Sequence, residues 1–256
     1  MTRLAHPADA AGDAAATLEH ASGAGRLAAS RGAHREAAAQ YERALRFAGG
    51  EDMIKVANLQ ERYAYERYLA DEFADAVNSK RAAVENYRRA GVDVLVGTSL
   101  NQLALFLRCG GWPVEAESAA GEGLRILEAR PAGPELAVAY AIQTFLCMNE
   151  GDREGTFQWG ARALDLAERT GSTWAFLHAL NSVGTMEMFL GRPEGAEKLG
   201  RSLELALHEG FEEEVGRAYL NFAGMAAGTR SFAEIDRWME EGVEYWSRAS
   251  RSWNGR

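Results

Sequence analysis

Five histidines, two cysteines and a spaced set of asparagines are the residues of this 256-residue chain whose types could do chemistry. The histidines are His6, His20, His34, His178 and His208. The sequence contains no HExxH and no CxxC, so the common zinc and redox spacings are missing. His34 stands beside Glu36 at a helix start, where a surface pair is expected. His178 lies in an apolar helix and reads as a core histidine satisfied by hydrogen bonds rather than a base or ligand. Glu212, Glu213 and Glu214 open a helix, and its dipole accounts for them. No nucleophile stands at a usable spacing from a base. The expected chemistry is recognition: no catalytic residue, no metal, no cofactor.

Recognition needs polar groups in register. Asn101, Asn181 and Asn221 are spaced by 80 and 40 residues, with Ala141 at the intermediate position. An asparagine amide offers donor and acceptor together and suits a peptide backbone, or equally the backbone of a neighbouring helix. Both readings stand at the level of sequence. Tyr140 and Tyr219 lie close to the same register, as groove wall or core. Arg62 with Tyr63, Tyr65 and Tyr68 offers a cationic and aromatic patch. Cys109 and Cys147 sit in apolar helical stretches and are expected to be buried free thiols.

The elements that must position these residues are helix pairs. TWAFLHALNSVGTMEMFLG (173–191) and RPEGAEKLGRSLELALHEG (192–210) read as two amphipathic helices joined at Gly191 and Pro193. Phe176, Leu177, Leu180, Val183, Gly184, Met188 and Phe189 mark the apolar rhythm of the first. Leu199, Leu203, Ala206 and Leu207 mark that of the second. Neither helix buries its stripe alone, so neighbouring pairs must stack. The second helix of each pair carries small or apolar residues seven apart. They are Ala37 and Ala44, Ala76 and Ala83, Ala116 and Gly123, Thr156 and Ala163, Gly195 and Ser202, and Ile235 and Gly242. Gly111, Gly151 and Gly191 repeat at intervals of 40. The expected pairs span 14–48, 51–90, 92–130, 134–170, 173–210 and 211–250, as one repeat domain over residues 1–256. Residues 1–13 read as a frayed or partial helix, and no convincing strand is present.

Composition is that of an ordinary folded chain, 47% apolar and 25% charged. A net charge of −9 and a pI near 5.2 argue against a broad nucleic-acid or anionic-membrane surface. No apolar run has the length of a membrane span or signal-peptide core, so a cytoplasmic location is expected. The final helix carries Trp238, Met239, Val243, Tyr245 and Trp246, and Trp253 follows like the opening of a seventh unit. That end is expected to pack against something, self-associate, or belong to a longer array.

The helix-turn-helix unit with small residues at fixed positions resembles the tetratricopeptide pattern, with a period near 40 instead of 34. Six phrases, AHREAAAQYERALRFA (33–48), PELAVAYAIQTFLCMNEGD (134–152), FQWGARALDLAERTG (157–171), HALNSVGTMEMFLG (178–191), RSLELALHEGFEEEVGRAYLNFA (201–223) and FAEIDRWMEEGVEYW (232–246), resemble the helical arrays of LuxR-type regulators that carry an ATPase module. The resemblance implies an all-α, right-handed superhelix whose first helices line a concave face. It further implies a non-catalytic sensor or scaffold region that binds a protein, a peptide or a small effector there. The family's ATPase and DNA-binding residues have no counterpart, because no GxxxxGK[ST] occurs and nothing of a DNA-reading domain follows Trp253. The alternatives are a stand-alone adaptor and an enzyme with an unrecognised groove site.

Overall fold

The computed structural model describes residues 14–228 and 230–254, with side chains as far as 245. Twelve helices and no strand occur among the described residues. They are α1 (Ala14–Ala29), α2 (His34–Arg46), α3 (Met53–Leu69), α4 (Phe73–Ala90), α5 (Asp93–Cys109), α6 (Pro113–Glu128), α7 (Pro134–Glu150), α8 (Arg153–Thr170), α9 (Thr173–Phe189), α10 (Glu194–Glu209), α11 (Glu212–Gly228) and α12 (Phe232–Asn254).

The turns follow from local chemistry. At the α7–α8 turn Gly151 takes φ 73° in the left-handed region, and the Asp152 amide reaches back to the Cys147 carbonyl. Asp152 then caps α8, its carboxylate accepting from the Gly155 amide at 3.0 Å. The same turn position between α3 and α4 is held by Asp71 at φ 61°, a conformation that costs a residue with a Cβ.

By packing, the chain divides into two units, residues 1–126 and 127–256. In the first, α1 packs on α2, α2 on α3, α3 on α4 and α4 on α5. Its core includes Ala21, Ala28, Ala37, Tyr41, Ala44 and Leu59. In the second, α7 packs on α8, α9 on α10 and α11 on α12, while α9 also contacts α7, α8 and α11. Its core includes Leu177, Leu199, Leu203, Val215 and Phe222. Most of the inner helix α9 is buried, which is why it is apolar almost all round.

The seven-residue ladder of small side chains is the seam of each pair. Ala37, Ala44, Ala76, Ala83, Ala116, Thr156, Ala163 and Ser202 are all fully buried. A Cβ at Gly195 would lie 2.6 Å from the Gly184 carbonyl oxygen and 2.5 Å from the Met188 nitrogen, so α9 and α10 meet backbone to backbone.

The described helices fall within a few residues of the expected ones, except that α12 runs to Asn254. The expected frayed segment at 1–13 lies outside the described residues. Burial expectations for four residues need correction. Cys109 is exposed and Cys147 half-buried, because both sit near helix ends. Phe189, 67% exposed, and Leu207, 43% exposed, lie on their helices' apolar rhythm but project past the packed face.

Candidate functional site

Within the second unit, α9 and α11 lie side by side, 36 to 40 residues apart in sequence, and share a buried charge cluster. His178 and Glu214 are both fully buried, and His178 Nδ1 lies 2.6 Å from Glu214 Oε1. Arg217 approaches the other carboxylate oxygen at 3.0 Å and donates to Ser182 Oγ at 2.5 Å. Its guanidinium rests over the Phe145 ring at 5.0 Å, and Trp174 stacks on the His178 ring at 4.3 Å.

The protons can be assigned by elimination. Arg217 Nη1 also lies 2.8 Å from His178 Nδ1, yet that nitrogen cannot both donate to Glu214 and accept from Arg217. Burial pushes the His178 pKa below its usual value and the Arg217 charge pushes it further, against the pull of Glu214. Burial pushes the Glu214 carboxyl the other way. The Arg217 charge, the hydrogen bonds of His178 and Arg217, and the imidazole's own charge once acid protonates it outweigh that and hold the Glu214 pKa at about 2. The arrangement is therefore a carboxylate–guanidinium pair with a neutral imidazole donating from Nδ1. The opposite nitrogen, Nε2, is buried and has no hydrogen-bond partner among the described residues.

The first unit holds a second polar cluster. Lys80 on α4 is almost fully buried, with Nζ bonded to Glu61 of α3 and 2.5 Å from Gln102 Oε1 of α5. Ser99 donates to the same Glu61 carboxylate. Burial lowers the Lys80 pKa, and Glu61 opposes it. These groups stitch three helices together, and Lys80 is too deeply buried to meet a substrate.

At the far edge of the second unit, α9, α10, α11 and α12 leave an apolar cavity of about 430 Å³. Met188, Phe222, Met225 and Trp238 form much of its wall, Phe189 stands at its side and Glu234 supplies a carboxylate. The floor is rigid where Phe222 and Trp238 stack at 4.2 Å. The two methionines give it adaptable walls.

The residues singled out from sequence are distributed as follows. Asn101 and Asn181 are fully buried and so do not face a groove. Asn101 donates to the Gly97 carbonyl of its own helix at 2.8 Å, and half-buried Asn221 donates to Asn181 Oδ1 at 2.6 Å. Tyr140 is buried, with its ring 4.1 Å from the Arg162 guanidinium and its hydroxyl near Glu128. Tyr219 is half-buried against Trp238, and Arg62 is exposed. Arg62 and Tyr63 do not form one patch, since Tyr63 accepts from Arg67 while Arg62 bonds Tyr41. Tyr65 and Tyr68 do lie together, their rings stacked at 6.4 Å, and Tyr68 also stacks on Phe106 at 4.4 Å. Trp238 forms part of the cavity, while the Trp246 and Trp253 side chains lie outside the described residues. His34 pairs with Glu66 at 2.8 Å instead of Glu36. Sequence reasoning assigned Glu214 to the helix dipole and missed its buried role. Arg217, one turn later on the same face, was the available signal. Among the described residues no cluster of His, Cys, Asp and Glu could hold a metal, and no helix is long and apolar enough to cross a membrane.

The sequence matches no protein-family model and no curated protein. Its similarity is to solved structures. The apo form of RapI superposes with a TM-score of 0.77 at 10% identity, over 92% of this chain and 84% of that one. A Rap protein complexed with Competence and Sporulation Factor gives 0.68 at 13% identity, over 89% and 74%. Aspartyl phosphate phosphatase F from Bacillus subtilis gives 0.54 at 10% identity, over 82% and 56%. At such identities the likeness is one of fold: this chain is an all-α, tetratricopeptide-like array of helix-turn-helix repeats.

Proposed function

We propose that this chain is a non-catalytic binding module that holds a peptide or a segment of a partner protein. The observation that carries the reading is the apolar cavity at the α9–α11–α12 edge, open to solvent beside an exposed phenylalanine. A preformed cavity walled by half-buried aromatic and methionine side chains suits the anchor side chain of a peptide. The buried clusters around Glu214 and Lys80 fit a rigid scaffold, since their polar groups are largely spent on one another. A protein of similar fold has been solved complexed with Competence and Sporulation Factor, which is in keeping with a binding role.

Within that reading, the phrases resembling LuxR-type ATPase regulators favour a sensor region whose occupancy is passed to other domains. A stand-alone adaptor that holds a partner segment in the same cavity is the second reading. Selection of a random dodecapeptide phage library on the immobilised protein tests binding itself. Enrichment of peptides that then bind in solution is expected, and failure to enrich any would overturn the binding-module reading. An adjacent reading frame encoding a P-loop ATPase or a DNA-binding domain of the LuxR type would separate regulator from adaptor.

A further inference from the structure

The cavity beside Trp238 has a chemistry that narrows its occupant. Its wall is apolar, and Glu234 and Trp238 lie four residues apart on α12, on one face of the helix. The carboxylate therefore stands about 5–6 Å along the helix from the aromatic floor. The surrounding segment is acidic overall, although Arg237 rests over the Trp238 ring at 4.6 Å. Between Glu194 and Tyr245 the sequence holds twelve Asp and Glu against five Lys and Arg, a net charge of −7 out of −9 for the whole chain. An acidic field around an apolar cavity attracts a cationic apolar ligand and rejects an acidic one.

Resting on the binding-module reading, we infer that this cavity takes an apolar side chain of a basic partner segment, with an Arg or Lys of that segment reaching Glu234. In an extended peptide, alternate residues point the same way about 6–7 Å apart. The anchor and its cation are then two positions apart, an aromatic or aliphatic residue followed after one by Arg or Lys. Met188 and Met225 let the cavity accept more than one anchor shape.

The geometry supplies mild variants for the test. Ala196 is exposed yet lines the cavity, so Ala196→Trp fills it from outside without touching the core. Glu234 is exposed, so Glu234→Arg inverts the charge and leaves packing intact. Three labelled octapeptides are titrated by fluorescence anisotropy in about 150 mM salt. One carries a central Phe with Arg two positions on, one the same Phe with Glu instead, and one Ala with Arg.

The Phe–Arg peptide should bind at least roughly tenfold more tightly than either control. Ala196→Trp should abolish the difference, and Glu234→Arg should reverse the preference between Arg and Glu. Equal binding of all three peptides, or binding insensitive to Ala196→Trp, overturns the inference while leaving the binding-module reading intact. If library peptides enrich but carry acidic consensus residues, the inference falls in the same way. If the protein dimerises with concentration and Ala196→Trp makes it monomeric, the cavity belongs to a second copy and the inference falls too.

Discussion

Asn221 donates to the Asn181 side-chain oxygen at 2.6 Å, from α11 to α9, at the same position of two successive repeats. Asn181 is fully buried and its own amide nitrogen has no partner among the described residues. The bond thus fixes the register of two first helices without satisfying every group. Asn221→Ala orphans a buried acceptor and should cost about 1–3 kcal/mol. Asn181→Ala should cost a similar amount through the void it leaves. Because they share one bond, the double variant should lose less than the sum of the singles. A double-mutant cycle by urea denaturation measures the coupling; additive losses would mean that the pair does not set the register.

Much of the fold was legible because it depends on short sequence distances. Gly151, Asp152 and Gly191 punctuate helices locally, and the small-residue ladder from Ala37 to Ser202 repeats often enough to be seen. The polar core was not legible for the opposite reason. Lys80 meets Glu61 across 19 residues and His178 meets Glu214 across 36, and the one local sign was Arg217, a turn beyond Glu214. The asparagines sat in register, but α9 is buried nearly all round, so the apolar rhythm read from its sequence does not separate inward from outward positions and polar Asn181 is buried with the rest. The cavity beside Trp238 is assembled from four helices, so only the aromatic richness of α12 hinted at it.

Asp71 offers a stabilising change. It holds φ 61° where the equivalent turns have Gly111 at 89°, Gly151 at 73° and Gly191 at 70°. Asp tolerates the left-handed region better than most residues but still pays for its Cβ, whereas glycine pays only through the unfolded chain. Asp71→Gly should therefore raise stability by roughly 0.5–1 kcal/mol, read as a higher midpoint in thermal unfolding. A lower midpoint would mean that the Asp71 carboxylate has a role its exposed position does not suggest.

Gly195 offers the reverse. An alanine there would drive its Cβ into the α9 backbone at Gly184 and Met188, where neither contact is a flexible side-chain end. α9 and α10 would have to separate, weakening the cluster of Leu177, Leu199 and Leu203. Gly195→Ala is expected to cost roughly 1–3 kcal/mol, as overpacking does. Gly200→Ala on the same helix has open space and should be neutral or stabilising. Equal effects of the two would remove the close backbone approach as the reason for the seam.

The charge cluster makes stability depend on pH in one direction. In the folded protein His178 stays neutral below its ordinary value of 6.5, where an unfolded histidine takes a proton. The unfolded state then binds more protons, so the stability contributed by His178 is complete above about 6.5 and is lost as pH falls. Glu214 acts with the same sign lower down: its carboxyl stays ionised to about 2 against 4.5 unfolded, so its share is lost between those values. The melting temperature should accordingly fall from neutral pH through 6 and again below 4.5. His178→Asn keeps a donor for Glu214 but cannot be protonated, so the upper limb should flatten while the lower one remains. Glu214→Gln leaves Arg217 without its carboxylate and should cost roughly 3 kcal/mol at pH 7, with a smaller loss on acidification. If the His178→Asn protein loses stability through pH 6 as steeply as the parent, the imidazole is not held neutral against Arg217, and the proton assignment in the cluster is overturned.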